Sequence, residues 1–114
     1  MTATILNDKA AFDNLLKLKS EVVLFYYREP SQKTRNMQTF KRFMQHAKNK
    51  GFICCQCDLT KWRLKEIKGD TGVVIYKKAK YYANIENIHV DEEQKFATFG
   101  QRLDNHSSEC CAIL

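Results

Sequence analysis

The sequence predicts an α/β domain in which a mixed sheet of about five strands is flanked by about four helices. Two runs, Glu21-Val-Val-Leu-Phe-Tyr-Tyr27 and Phe52-Ile-Cys-Cys-Gln-Cys57, are β-branched, aromatic or apolar without alternation, as strands buried on both faces are. The stretch between them has helical periodicity, so they form a right-handed parallel crossover. A third pair, Val73-Val-Ile-Tyr-Lys77 and a run from Tyr81 to Ile88, is separated only by Lys78-Ala79-Lys80, which implies an antiparallel hairpin. Parallel and antiparallel pairings together make the sheet mixed, with helices on both faces.

Each element follows in order. Ala3 to Leu6 can add a short strand in front. Asn7 or Asp8 is placed to cap a first helix, because a side-chain oxygen there satisfies free N–H groups of the first turn. Ala11, Phe12, Leu15, Leu16 and Lys19 then recur at helical spacing. After the first long strand Pro30 interrupts the run, and Ser31 to Lys50 reads as a long helix. Its stripe is Phe40, Phe43, Met44 and Ala47, and Gly51 ends it. A short helix is expected around Thr60 to Ile67, followed by Gly69-Asp-Thr-Gly72 and the hairpin. Asp91 is placed to cap the last helix with Gln94 at capping-box spacing, and Phe96, Phe99 and Leu103 form its apolar face.

Length and composition bound the rest. A chain of 114 residues with 44% hydrophobic content is one domain able to bury a single core. The expected division is a folded domain over 1–103 and a flexible tail over 104–114. Met1 to Asp8 has no basic region followed by an apolar run, so no secretory signal is expected. No stretch approaches the roughly 20 apolar residues that span a bilayer. Thr2 stands where myristoylation requires glycine. Nineteen Lys and Arg against thirteen Asp and Glu give a charge of +6. The cations are scattered: Lys17 and Lys19, Lys33 and Arg35, Lys41 and Arg42, Lys61 to Lys68, then Lys77, Lys78 and Lys80. Such a surface is attracted to anionic lipid or an acidic partner. Nucleic-acid binding is not expected, because most aromatics fall at core positions.

Four segments carry a resemblance: Val22-Val-Leu-Phe-Tyr-Tyr27, Phe40 in the helix that follows, Cys57-Asp-Leu-Thr60, and Val73-Val-Ile-Tyr-Lys-Lys78. In order and spacing they resemble the thioredoxin-like superfamily from about Ile5 to Leu103. The resemblance implies an active site at the start of the second helix, where the family has Cys-x-x-Cys and the helix N-terminus stabilises a thiolate. Here those positions hold Ser31-Gln32-Lys33-Thr34, and the position of the family's cis-proline falls near Thr71. Ser31, Thr34 and Thr71 therefore read as a degenerate redox site, and no thiol–disulfide activity or cofactor is expected. Tyr26-Tyr27-Arg28-Glu29-Pro30 and Asp70 to Lys78 are similar to non-catalytic members, the b-type domains of protein disulfide isomerases and those of calsequestrin.

Cys54 and Cys57 form a literal Cys-x-x-Cys, but in a strand they lie about 10 Å apart, beyond the roughly 7 Å Cα limit for a disulfide. Cys55 and Cys57 share one face of that strand and Cys54 the other, so core packing is expected. His46, His89 and His106 have no spacing to the cysteines that would build a zinc site, and each reads as a surface residue. Lys33, Arg35 and Trp62 stand as candidate partner or anion contacts, with Trp62 read first as half-buried cover for a sheet edge.

The last four residues, Cys111-Ala-Ile-Leu114, have the pattern of a prenylation signal with the terminal leucine that favours geranylgeranyl, and Cys110 can take a second lipid. The expectation is thus a non-catalytic thioredoxin-like adaptor, bound to a protein partner and tethered to a cytosolic membrane face through Cys111. Two alternatives are an excised docking domain of a larger luminal protein of the disulfide-isomerase kind and a divergent glutathione-dependent enzyme.

Overall fold

A computed structural model describes residues 4–28 and 37–104. The elements are β1 (Thr4–Leu6), α1 (Lys9–Leu18), β2 (Val22–Tyr27), α2 (Met37–Asn49), β3 (Ile53–Asp58), β4 (Thr71–Lys77), β5 (Lys80–Glu86) and α3 (Glu92–Asp104). The five strands form one sheet in the order β1-β3-β2-β4-β5. β2 and β3 run parallel with Val22 opposite Ile53, and β2 and β4 run antiparallel with Val22 opposite Tyr76. The expected mixed α/β sheet is therefore present, with three helices described.

β2 divides the core. Val23, Phe25 and Tyr27 face α2 and α3, meeting Phe40, Phe43, Ala47, Phe99 and Leu103. Val22, Leu24 and Tyr26 face α1 and the 59–67 segment, meeting Phe12, Leu64 and Ile67. A strand buried on both faces explains its unbroken apolar sequence.

The helices begin and end for local reasons. Asp8 is the cap of α1: its backbone is extended (φ −161°) and its Oδ1 accepts the Ala11 N–H at 2.8 Å. Asp91 does precede α3, but its backbone is left-handed (φ 52°), and its carbonyl accepts the Lys95 N–H at 3.0 Å. The expected helix at Thr60 to Ile67 is replaced by turns. Asp58 Oδ1 takes both the N–H and the hydroxyl of Thr60, at 3.0 and 2.7 Å, and such local side-chain bonds compete with helical ones. The hairpin is tighter than expected: Lys77 pairs with Lys80, leaving Lys78 and Ala79 in the left-handed region with φ of 54° and 62°. That is the twist a two-residue hairpin turn requires.

Helices α2 and α3 are also joined by charge. Arg42 donates to both Glu92 and Glu93 at 2.8–2.9 Å, and Thr39 donates to Glu92 at 2.7 Å. The Thr39 hydroxyl and the Arg42 guanidinium hold the Glu92 carboxyl below its ordinary value, and Arg42 does the same to Glu93. With native pKa values depressed below about 4.3, this cluster stabilises the fold fully above that pH. The contribution is lost as pH falls through the lower native values. Urea denaturation of wild type and Arg42→Met should show a small midpoint difference at pH 7 that shrinks as the pH is lowered through the carboxylate range. A difference independent of pH would assign it to Arg42 packing over Phe96, whose ring centroid lies 4.0 Å away.

Candidate functional site

The parallel strands β2 and β3 end side by side, at Tyr27 and Asp58, and β4 starts beside them at Thr71. Several polar groups meet at this end of the sheet. Arg28 Nε donates to Asp70 Oδ1 at 2.7 Å, joining the end of β2 to the segment before β4. The Leu59 N–H donates to the Tyr27 carbonyl at 2.7 Å. Thr71 and Asp58 are both buried. Burial raises the Tyr27 hydroxyl above its ordinary pKa, and the neighbouring Asp58 and Cys57 add to that rise.

Of the sequence-derived site, Thr71 is the member described, and it lies opposite Tyr27 at this strand edge. Ser31, Thr34, Lys33 and Arg35 lie outside the described residues, as do Cys110 and Cys111 and most of the 104–114 tail. Trp62 is half-buried against the sheet edge. Its Nε1 donates to the carbonyl of Leu6, on edge strand β1, at 2.9 Å, and its ring is 6.0 Å from Phe12. That hydrogen bond uses the indole's single donor within the fold.

The three cysteines of β3 are buried and free. Cys54 belongs to the α2/α3 side of the core, Cys55 and Cys57 to the α1 side. Their thiols donate to the carbonyls of Met44, Val23 and Trp62 respectively. Desolvation raises Cys54 to about 11 and Cys57 to about 12, and pushes Cys55 up as well. A thiolate, the reactive form, is therefore scarce at all three near neutral pH. Among the described residues, no group of three or more His, Cys, Asp or Glu is placed to hold a metal. His46 corrects its surface reading: it is half-buried, its ring centroid 5.1 Å from that of Phe96. The signal in the sequence is the i, i+3 spacing of His46 from Phe43, which puts both on one side of the helix.

One demanding feature went unread in the sequence. Tyr26 crosses over Gly72, its partner on β4, and its hydroxyl donates to Asn84 Oδ1 on β5 at 2.8 Å. A Cβ on residue 72 would stand 2.7 Å from that hydroxyl oxygen and against the Ile85 carbonyl. Glycine is required here by close approach, within a regular strand.

Sheet order, strand directions and helices on both faces define the thioredoxin-like fold. Solved structures agree. The chain is similar to oxidised mitochondrial thioredoxin 3 of Saccharomyces cerevisiae, with a TM-score of 0.63 at 17% identity over 81% of this chain and 92% of that one. It is similar to Fasciola hepatica thioredoxin with a TM-score of 0.60 at 11% identity, covering 82% of this chain and 97% of that one. The zinc-bound form of human ERp44 matches with a TM-score of 0.63 at 10% identity, over 90% of this chain and 30% of that one. No protein-family model and no curated protein sequence matches the chain.

Proposed function

We propose that this chain is a non-catalytic thioredoxin-like binding domain, tethered to a cytosolic membrane face by prenylation of Cys111. The observation that carries the reading is a division among five cysteines. Three are sealed inside β3 with thiols raised by burial, and two stand in the tail sequence, where Cys111-Ala-Ile-Leu114 has the form a prenyl transferase reads. The positions that carry redox thiols in thioredoxins hold Ser31 and Thr34 here, and hydroxyls cannot cycle through a disulfide. Ser31, Thr34, Lys33 and Arg35 then remain as contacts for a protein or anionic partner.

The test expresses the full reading frame in a eukaryotic cell and compares wild type with Cys111→Ser. The membrane-bound fraction should fall about tenfold, and mass spectrometry of the native C-terminus should find a geranylgeranyl mass on Cys111. Unchanged membrane association sinks the tether. Coding sequence running on beyond Leu114 replaces it with the docking-domain reading.

A further inference from the structure

The fold gathers at one pole groups that are scattered in sequence. Pairing Val22 with Ile53 and with Tyr76 aligns the starts of β2 and β3 with the β4–β5 turn. The ends of α1 and α2 lead into those starts. The end of α3 is fastened to the same place, for Lys77 Nζ donates to the Arg102 carbonyl at 2.5 Å and Lys50 pairs with Asp104 at 2.9 Å. This pole therefore presents Lys19, Lys48, Lys50, Lys78, Lys80 and Arg102, all solvent-exposed. Against them stand Glu21 and Asp104. Apart from Lys50, none of these six cations is in an ion pair among the described residues. At the opposite end the charges are matched: Arg28 pairs with Asp70, and Arg42 with Glu92 and Glu93.

Cations at helix ends complement helix dipoles, which accounts for some of this charge. Lys78 and Lys80 have no such role. Lys78 lies within, and Lys80 directly after, a turn in which two non-glycine residues hold positive φ, a conformation that persists where the surroundings enforce it. The enforcement is visible: the Ala79 N–H donates to the Ser20 carbonyl at 2.9 Å and the Lys78 N–H to Glu21 Oε1 at 3.2 Å. Beside them Leu18 is 79% exposed and Ile53 36%, around a shallow hollow of about 310 Å³. A projecting leucine set among lysines has the chemistry of an interfacial membrane contact, with apolar side chains entering the headgroup boundary and cations meeting anionic lipid.

We propose that this basic pole is the face laid against an anionic phospholipid bilayer, and that it supplies the second attachment signal a single prenyl chain requires. The proposal rests on the membrane half of the function proposed above. Chain length agrees with it: Cys111 lies seven residues beyond Asp104, a reach of at most about 24 Å, so a lipid there anchors the chain within that distance of this pole. The strand ends with Tyr27, Asp58 and Thr71, at the other end of β2 and β3, then face away from the bilayer.

The test uses the full chain without lipid and flotation with vesicles of phosphatidylcholine alone or with about 30% phosphatidylserine. Each well-placed cation near an anionic surface is worth about fivefold in partitioning. Binding should require phosphatidylserine and be abolished by 0.5 M salt. Lys78→Glu/Lys80→Glu should weaken it at least tenfold. Lys61→Glu/Lys68→Glu makes the same change in net charge at the far end of the sheet, where Gly69 lies against Glu86, and should weaken it less than threefold. Equal loss in both variants, binding to phosphatidylcholine alone, or hairpin-dependent binding to polyglutamate without binding to vesicles would each overturn the proposal. Since no prenyl group is present, failure here leaves the Cys111→Ser experiment free to stand or fall by itself.

Discussion

Replacing Gly72 by alanine should lower the free energy of unfolding by about 3 kcal/mol, near the upper end of the cost of overfilling a packed interior. The side chain this glycine lacks would point at two things that resist displacement. One is the backbone carbonyl of Ile85 on the paired strand β5, which cannot move without opening the β4–β5 ladder. The other is the phenol of Tyr26, buried and bound to Asn84 Oδ1. A buried phenol displaced from its acceptor leaves two unsatisfied groups, which adds about 1–3 kcal/mol to steric strain. Urea denaturation of Gly72→Ala, Tyr26→Phe and the double variant measures the coupling. The double loss should be smaller than the sum of the single losses by about 1 kcal/mol, because the phenylalanine variant has already given up the hydroxyl contact. A Gly72→Ala chain within about 0.5 kcal/mol of wild type would show that β4 and β5 separate freely there.

The second large effect is expected at Lys77. This lysine is 5% exposed and lies on the same face of β4 as Val73 and Ile75. Its Nζ donates to the Arg102 carbonyl in the last turn of α3 and stands 3.8 Å from the centroid of the Tyr82 ring. A nearly buried ammonium is costly unless paired. Here the negative end of a helix, a free carbonyl and an aromatic face offset that cost together. Lys77→Met keeps the buried stem and removes the charge, and should cost about 1–2 kcal/mol through the lost cap. Lys77→Glu sets a carboxylate against the negative end of α3 with little solvent, and should cost more than about 4 kcal/mol. For a domain of this size that approaches the whole stability, so the glutamate variant should be largely unfolded at 37 °C by circular dichroism. If Lys77→Glu loses no more than Lys77→Met, the lysine acts by packing alone.

Neither residue's role is legible in one dimension, whereas the main architecture is. The mixed sheet was legible because β2, β3 and β4 are apolar on both faces, and a two-faced strand leaves a run no solvent-exposed element has. The α2 stripe of Phe40, Phe43, Met44 and Ala47 was legible because a helix facing a sheet repeats its buried positions every three or four residues. Leu64 and Ile67, both buried, have the spacing of a helix over 60–67 that the fold does not form. In the fold, Asp58 holds Thr60 in a turn and Trp62 is drawn to the β1 edge, contacts that periodicity does not contain. Lys77 was counted with the surface cations for the same reason: alternation reports which face a residue takes, but not whether a helix end waits there.

The candidate site divides likewise. Sequence alone marked Ser31, Thr34 and Thr71 as occupants of positions where the resembling family has thiols and proline, and marked Cys111-Ala-Ile-Leu114 as a lipidation signal. Both are local patterns read in one dimension. Only the tertiary structure brought Thr71, Tyr27 and Asp58 to one strand edge and sealed Cys54, Cys55 and Cys57 into two halves of a core. Only it gathered basic residues from three helix ends and a hairpin into one pole. The physical reason is that hydrophobic periodicity is set by each element's own geometry, whereas charge and hydrogen bonding depend on what strand pairing brings near. The sequence thus determined the class of fold and where lipid chemistry is expected; the pairing of β2 with β3 and β4 decided which groups share each end.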